Sequence, residues 1–97
     1  MNEPRHIQSR DNPLLVRLRR LAQDGAAYRR VGQVWLEGDH LCAALRTSGR
    51  PAREAVITEA AWQDARLREL AAWATQTTIV PTALFAGLST LESPAAI

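Results

Sequence analysis

The chain has no lysine, and it holds one cysteine, one phenylalanine and one tyrosine. Each scarcity narrows the field. A single thiol, Cys42, allows no internal disulfide and no cysteine-based metal cluster. Its place among Leu41, Ala43 and Ala44 reads as a small hydrophobe in a helix. No apolar run extends beyond a few residues, so none is long enough to span a bilayer. The opening MNEPRHIQSRDNP has no apolar core of signal-peptide type, and the chain is expected to be cytoplasmic. The glycines are dispersed: neither G-x-G-x-x-G nor G-x-S-x-G occurs, which argues against a dinucleotide loop and a nucleophile elbow.

What is present is arginine, and its placement is uneven. The formal net charge is +2 over 97 residues. Residues 1–30 carry seven arginines against three acids, whereas residues 31–97 carry five against seven. The planar guanidinium fork suits phosphate, so a cationic N-terminal end points to nucleic acid. A base composition rich in G and C explains a preference for arginine over lysine equally well, but not the asymmetry.

Ninety-seven residues make one small domain. Residues 1–11 read as a polar, extended arm. Asn12-Pro13 starts a helix, with Asn as cap and Pro at the first helical position. Leu14, Leu15, Leu18, Leu21 and Ala22 share one face of it, Arg17 and Arg20 another, and Gly25 ends it. A strand is expected at about Gln33–Glu37, then a helix from Asp39 to Ser48 stopped by Gly49. A second strand is expected at Glu54–Thr58, followed by a helix from Glu59 to Ala74 capped by Thr58. Trp62, Leu67, Leu70, Trp73 and Ala74 would lie on one broad apolar side of that helix. Thr77–Val80 forms a third strand, and Pro81-Thr82 opens a last helix through Leu88. This β-α-β-α-β order predicts an α/β fold: a small sandwich with a mainly parallel central sheet and helices on both faces. Ligands of such sheets gather at the carboxyl ends of the strands, here Glu37-Gly38-Asp39, Thr58-Glu59 and Pro81-Thr82.

The residues that carry chemistry are few. Asp39, His40 and Cys42 are close in sequence but point in different directions on a helix, so a metal site is not expected. His6 belongs to the arm and His40 to a helix start. Glu37 and Asp39 flank Gly38 as paired carboxylates. They are read first as a structural corner, with Glu37 paired to Arg29 or Arg30 and Asp39 stabilising the helix it begins. A general acid–base pair is the competing reading. No catalytic residue and no cofactor is assigned. The basic residues remain. Arg5, His6 and Arg10 lie on the arm, Arg17 and Arg20 on one helical face, and Tyr28-Arg29-Arg30 before the first strand. They form a candidate surface for an RNA backbone, competing with an ordinary solvated face. Trp35, Trp62 and Trp73 read as core, and Tyr28 is the one aromatic set among cations. Backbone and shape recognition is therefore favoured over base reading.

The order of motifs is familiar. Ile7-x-Ser9-x-x-Asn12-Pro13 opens a leucine-rich helix. Tyr28-Arg29-Arg30 and a glycine follow, then a hydrophobic strand ending Leu36-Glu37-Gly38, a helix reaching Ala44-Leu45, Leu88-Ser89, and Ser93-Pro94 before Ile97. This resembles the N-terminal substrate-binding domain of the SpoU/TrmH family of RNA 2′-O-ribose methyltransferases. The resemblance implies a fold similar to ribosomal kink-turn-binding proteins and a structured RNA partner, ribosomal or transfer. By position, Ser9, Asn12, Arg29, Glu37 and Gly38 match the family pattern, with Arg29 as the foremost phosphate contact. Ala27 stands where the family often has lysine, and Ala96 where its hinge has glycine.

The resemblance also implies an organisation: an arm over 1–11, an RNA substrate-binding domain over 12–90, and from 91–97 the start of a linker. A knotted catalytic domain that binds S-adenosylmethionine would follow. The parent would be a homodimer through that domain and the isolated piece a monomer without methyltransferase activity. Two rivals stand beside this expectation: a stand-alone ribosome-associated or kink-turn-type RNA-binding module, and a small α/β enzyme acting with Glu37, Asp39 and Thr58.

Overall fold

The computed structural model describes residues 3–23, 36–50, 52–89 and 97. Its elements in chain order are β1 (Arg5–His6), α1 (Pro13–Gln23), α2 (Asp39–Thr47), β2 (Glu54–Thr58), a 3-10 turn (Ala61–Gln63), α3 (Ala65–Ala72), β3 (Gln76–Val80) and α4 (Thr82–Leu88). The three strands form a parallel sheet in the order β1-β3-β2. Glu54 lies opposite Gln76 and Thr58 opposite Val80, while Arg5 and His6 lie opposite Thr78 and Ile79.

Side chains alternate across a strand, so this register fixes two faces. Val56, Val80 and Ile7 fall on one and pack with Leu14, Leu15 and Leu18 of α1 and Phe85 and Leu88 of α4. Ile57 and Ile79 fall on the other and pack with Ala61, Leu70, Ala71 and Ile97, flanked by Cys42, Ala43, Trp62 and Leu67. The expected α/β sandwich, with a parallel sheet and helices on both faces, is thus the observed architecture.

Local sequence accounts for most elements. Asn12 Oδ1 accepts the Leu14 N–H at 2.9 Å, and Pro13 occupies the first helical position, where no N–H is required. The buried residues of α1 are Leu14, Leu15, Leu18 and Leu21, four of the five expected on that face. β2, β3 and α4 fall within a residue of their expected spans. Ser48 follows α2, and Gly49, at φ 77°, turns the chain away with its N–H on the Arg46 carbonyl at 3.1 Å.

Three expectations are corrected. The polar arm contains a strand: β1 pairs with β3, the Ile7 N–H donates to the Ile79 carbonyl at 3.0 Å, and Ile7 is buried. The helix expected over 59–74 is broken at Asp64, which is extended (φ −88°, ψ 115°) and accepts the N–H groups of Arg66 and Leu67. Thr58 caps the short turn instead, its Oγ1 accepting the Ala61 N–H at 3.0 Å. An aspartate offers the backbone a competing partner, and here that competition restarts the helix. Trp73, read as core, is 38% exposed, while Trp62 is half-buried. Of the first expected strand, residues 33–35, including Trp35, lie outside the described residues, as does Gly25; Leu36 and Glu37 lead into α2.

The cap at Asp64 is open to measurement. Asp64→Ala is expected to destabilise the domain by about 1 kcal/mol, the usual loss on removing such a cap. Urea denaturation monitored by circular dichroism reads this as a lower midpoint at unchanged slope.

Candidate functional site

The arginine surface begins on the arm. Ser9 and Asn12 build the turn into α1: the Asn12 N–H donates to the Ser9 carbonyl at 3.1 Å and the Asp11 N–H to Ser9 Oγ at 3.3 Å. Both matched residues thus have a backbone role in placing the arm. Arg19 Nη2 donates to the Arg10 carbonyl at 2.8 Å and fastens the arm to the helix. The Arg10 side chain is left exposed, as are Arg5 and Arg20. Among the described residues none of these three makes an ion pair. His6 is exposed on β1. Arg17 is engaged differently: its Nη2 lies 3.1 and 2.9 Å from the two Glu54 carboxylate oxygens and ties α1 to the start of β2. Tyr28, Arg29 and Arg30 lie outside the described residues.

The acidic corner is a junction between layers. Glu37 is buried at 7% exposure and accepts the Ser89 hydroxyl at 2.5 Å, just beyond α4. Gly38 adopts φ 101° and ψ 148°, a conformation essentially restricted to glycine. Its N–H donates to the Ile97 carbonyl at 2.8 Å, and its carbonyl accepts the Cys42 N–H at 3.1 Å, opening α2. Asp39 accepts Arg66 Nη1 of α3 at 3.1 Å, with His40 Nε2 at 3.9 Å. The hydrogen bond from Arg66 is the main reason its carboxyl lies below the ordinary carboxylate value. Cys42, half-buried beneath this helix start, has its thiol pushed up by burial and by Asp39.

Glu37 therefore faces the α4 layer and Asp39 the α3 layer. Two carboxylates directed to opposite sides of a sheet do not converge on one reacting atom, as an acid–base pair must. Thr58, their third expected partner, has its hydroxyl engaged at the 3-10 turn. The geometry is that of a structural corner built on Glu37, Gly38 and Asp39. Its partners Arg66, Ser89 and Ile97 are distant in sequence and carry no local signal of the pairing.

Among the described residues no group of three or more His, Cys, Asp or Glu side chains is placed to hold a metal, and no helix is long and apolar enough to cross a membrane. No family model matches the chain, and no curated protein matches it either.

Two substitutions probe the corner. Among the described residues, apart from Gly38 and its two chain neighbours, no heavy atom lies within 4 Å of where a Cβ on Gly38 would stand, so the penalty of Gly38→Ala is conformational. It is expected to lie between about 1 and 3 kcal/mol, seen as a lower urea midpoint. Asp39 has a lowered carboxyl in the folded state, so its stabilising contribution is full above the ordinary carboxylate range. That contribution is lost as pH falls through the lowered value. Urea midpoints are therefore expected to be slightly lower for Asp39→Asn than for the parent at neutral pH and to converge in strong acid. The pair is exposed (33% and 68%), so the difference is small.

Proposed function

We propose that this domain holds structured RNA, ribosomal or transfer, for 2′-O-ribose methylation. It would be the substrate-binding domain of an enzyme similar to the SpoU/TrmH family. Methyl transfer and S-adenosylmethionine binding are assigned to a separate domain, and no residue of this chain is given a catalytic or cofactor role.

The observation that carries this reading is the state of Arg5, Arg10 and Arg20. They are exposed on an arm that a main-chain hydrogen bond from Ile7 to Ile79 fixes to the sheet and on a helix that packs against the sheet through Leu14, Leu15 and Leu18, with no ion pair among the described residues. Arginines at fixed positions suit a regularly charged backbone better than a mobile tail does, because less freedom is lost on binding. The α/β sandwich agrees with the fold that the motif order implies. The exposed aromatic among the described residues, Trp73, directly follows α3, which packs on the face of the sheet opposite α1. Among the described residues the arginine side offers fixed cations and no exposed tryptophan, tyrosine or phenylalanine, which favours positioning of a phosphate backbone. Tyr28, Arg29 and Arg30 extend the proposed contact in sequence, with Arg29 as its foremost member.

Fluorescence anisotropy with a labelled RNA hairpin, at low and at high salt, tests the reading. Affinity is expected to fall with salt, with a log–log slope of about 0.7–0.9 per phosphate contacted. Arg29→Ala with Arg30→Ala, and separately Arg10→Ala with Arg20→Ala, should weaken binding to unrelated RNA sequences alike. Absent binding at low salt, or binding indifferent to salt, overturns the proposal.

A further inference from the structure

We infer that the RNA surface continues over the amino edge of the sheet, where Arg46, Arg50 and Arg53 offer a second set of phosphate contacts. This inference rests on the RNA-binding reading and extends it to a part of the chain outside the N-terminal ridge.

Charge is the first argument. No acidic residue occurs between Asp39 and Glu54, a stretch that holds these three arginines. All three are exposed, and none makes an ion pair among the described residues. The carboxylate nearest in sequence to Arg50 and Arg53, Glu54, is engaged by Arg17, which removes the anion best placed to neutralise Arg53. The Gln76 side chain reaches the Glu3 carbonyl at 3.4 Å, so Glu3 belongs to the same edge, where it is outnumbered by these arginines.

Order is the second. The connection from α2 to β2 is held at both ends. Ser48 N–H donates to the Ala44 carbonyl at 3.0 Å, Ser48 Oγ to the Leu45 carbonyl at 2.6 Å, and Gly49 N–H to the Arg46 carbonyl at 3.1 Å. At the far end, Thr75 N–H donates to the Ala52 carbonyl at 2.9 Å and Gln76 N–H to the Arg53 carbonyl at 3.1 Å. Arg46 and Arg53 thus project from fixed backbone, and Arg50 follows directly on the Gly49 turn. A pre-formed arrangement loses less entropy on binding an extended anion.

Continuity is the third. Arg20 lies one turn beyond Arg17 on α1; Arg17 grips Glu54; Arg53 precedes Glu54. The α1 ridge and the α2–β2 connection therefore meet at the Arg17–Glu54 pair. A phosphate backbone laid along α1 passes onto Arg53 and Arg50 without crossing an unpaired acid of α1 or β2.

The same labelled hairpin tests this with Arg50→Ala/Arg53→Ala, Arg50→Lys/Arg53→Lys and Arg10→Ala/Arg20→Ala, each checked for folding by circular dichroism. Arg50→Ala/Arg53→Ala is expected to weaken binding several-fold and to reduce the log–log salt slope by about 1.5, the value for two phosphates. The lysine variant, which keeps both charges, should remain close to the parent. Should the double alanine variant unfold, Arg50→Glu alone, at an exposed residue outside every helix and strand, gives the same reading. Parent-like affinity and slope in the alanine variant, with binding lost in Arg10→Ala/Arg20→Ala, overturns this inference and leaves the proposed function standing. Failure of the parent domain to bind the hairpin overturns both.

Discussion

The structure depends on the burial of β3. Thr77, Thr78, Ile79 and Val80 are all buried, and the strand is paired in parallel on both sides. A strand in that position needs a strand along each edge and an apolar layer over each face. β2 supplies one edge through the α3 crossover. The other is supplied by the first residues of the chain, which is why two exposed polar residues, Arg5 and His6, form a strand at all. Ile7 then enters the core beside Val80, and the chain must turn at Ser9–Asn12 to lay α1 over the same face. The position of the proposed RNA-binding arginines on arm and helix follows from what β3 requires.

That constraint separates what the sequence makes legible from what it hides. β2, β3, α1 and α4 each carry their own signals: a short apolar run, an Asn-Pro start, a Pro-Thr start. β1 carries none, because its identity comes from a partner more than seventy residues away. The break at Asp64 was written in the sequence as a capping residue. It is masked there by the apolar spacing on either side, which fits one continuous helix as well as two pieces. The site divides in the same way. Exposed Arg10 and Arg20 follow from helical spacing and arm composition. The engagement of Arg17 by Glu54 does not, since nothing local couples a residue of α1 to the start of β2. The corner was legible as a glycine between two acids, while the assignment of those acids to opposite layers needed the fold.

The arginines among the described residues fall into two groups, and the fork geometry of the side chain explains the first. Arg17 spans α1 and β2, Arg19 clamps the arm by a carbonyl, and Arg66 joins α3 to the head of α2. Arg68 donates Nε to the Trp62 carbonyl at 2.8 Å while its guanidinium lies 5.2 Å from the indole centroid. Carboxylate, carbonyl and ring are partners that a planar guanidinium serves better than a compact ammonium. The absence of lysine is therefore consistent with structural use as well as with phosphate recognition. The second group, Arg5, Arg10, Arg20, Arg46, Arg50 and Arg53, has no such engagement among the described residues.

The proposed RNA contacts lie away from the strand ends where ligands of α/β sheets ordinarily gather, and the hydrogen bonds indicate why. At the carboxyl ends of β2 and β3, polar groups are engaged by the chain itself. Thr58 caps the 3-10 turn, the Glu59 N–H donates to the Val80 carbonyl at 2.9 Å, and Pro81 turns directly into α4, its carbonyl accepting the Leu84 and Phe85 N–H groups. Polar groups that would otherwise meet a small molecule are used in joining elements. The amino edge, by contrast, ends in an arginine-bearing connection whose nearest acid is neutralised from α1. A domain of this size has room for one small core and little for a cleft. The proposed partner, an extended polyanion, needs no cleft, only cations carried on ordered backbone, and exposed arginines stand on α1 and at the amino edge.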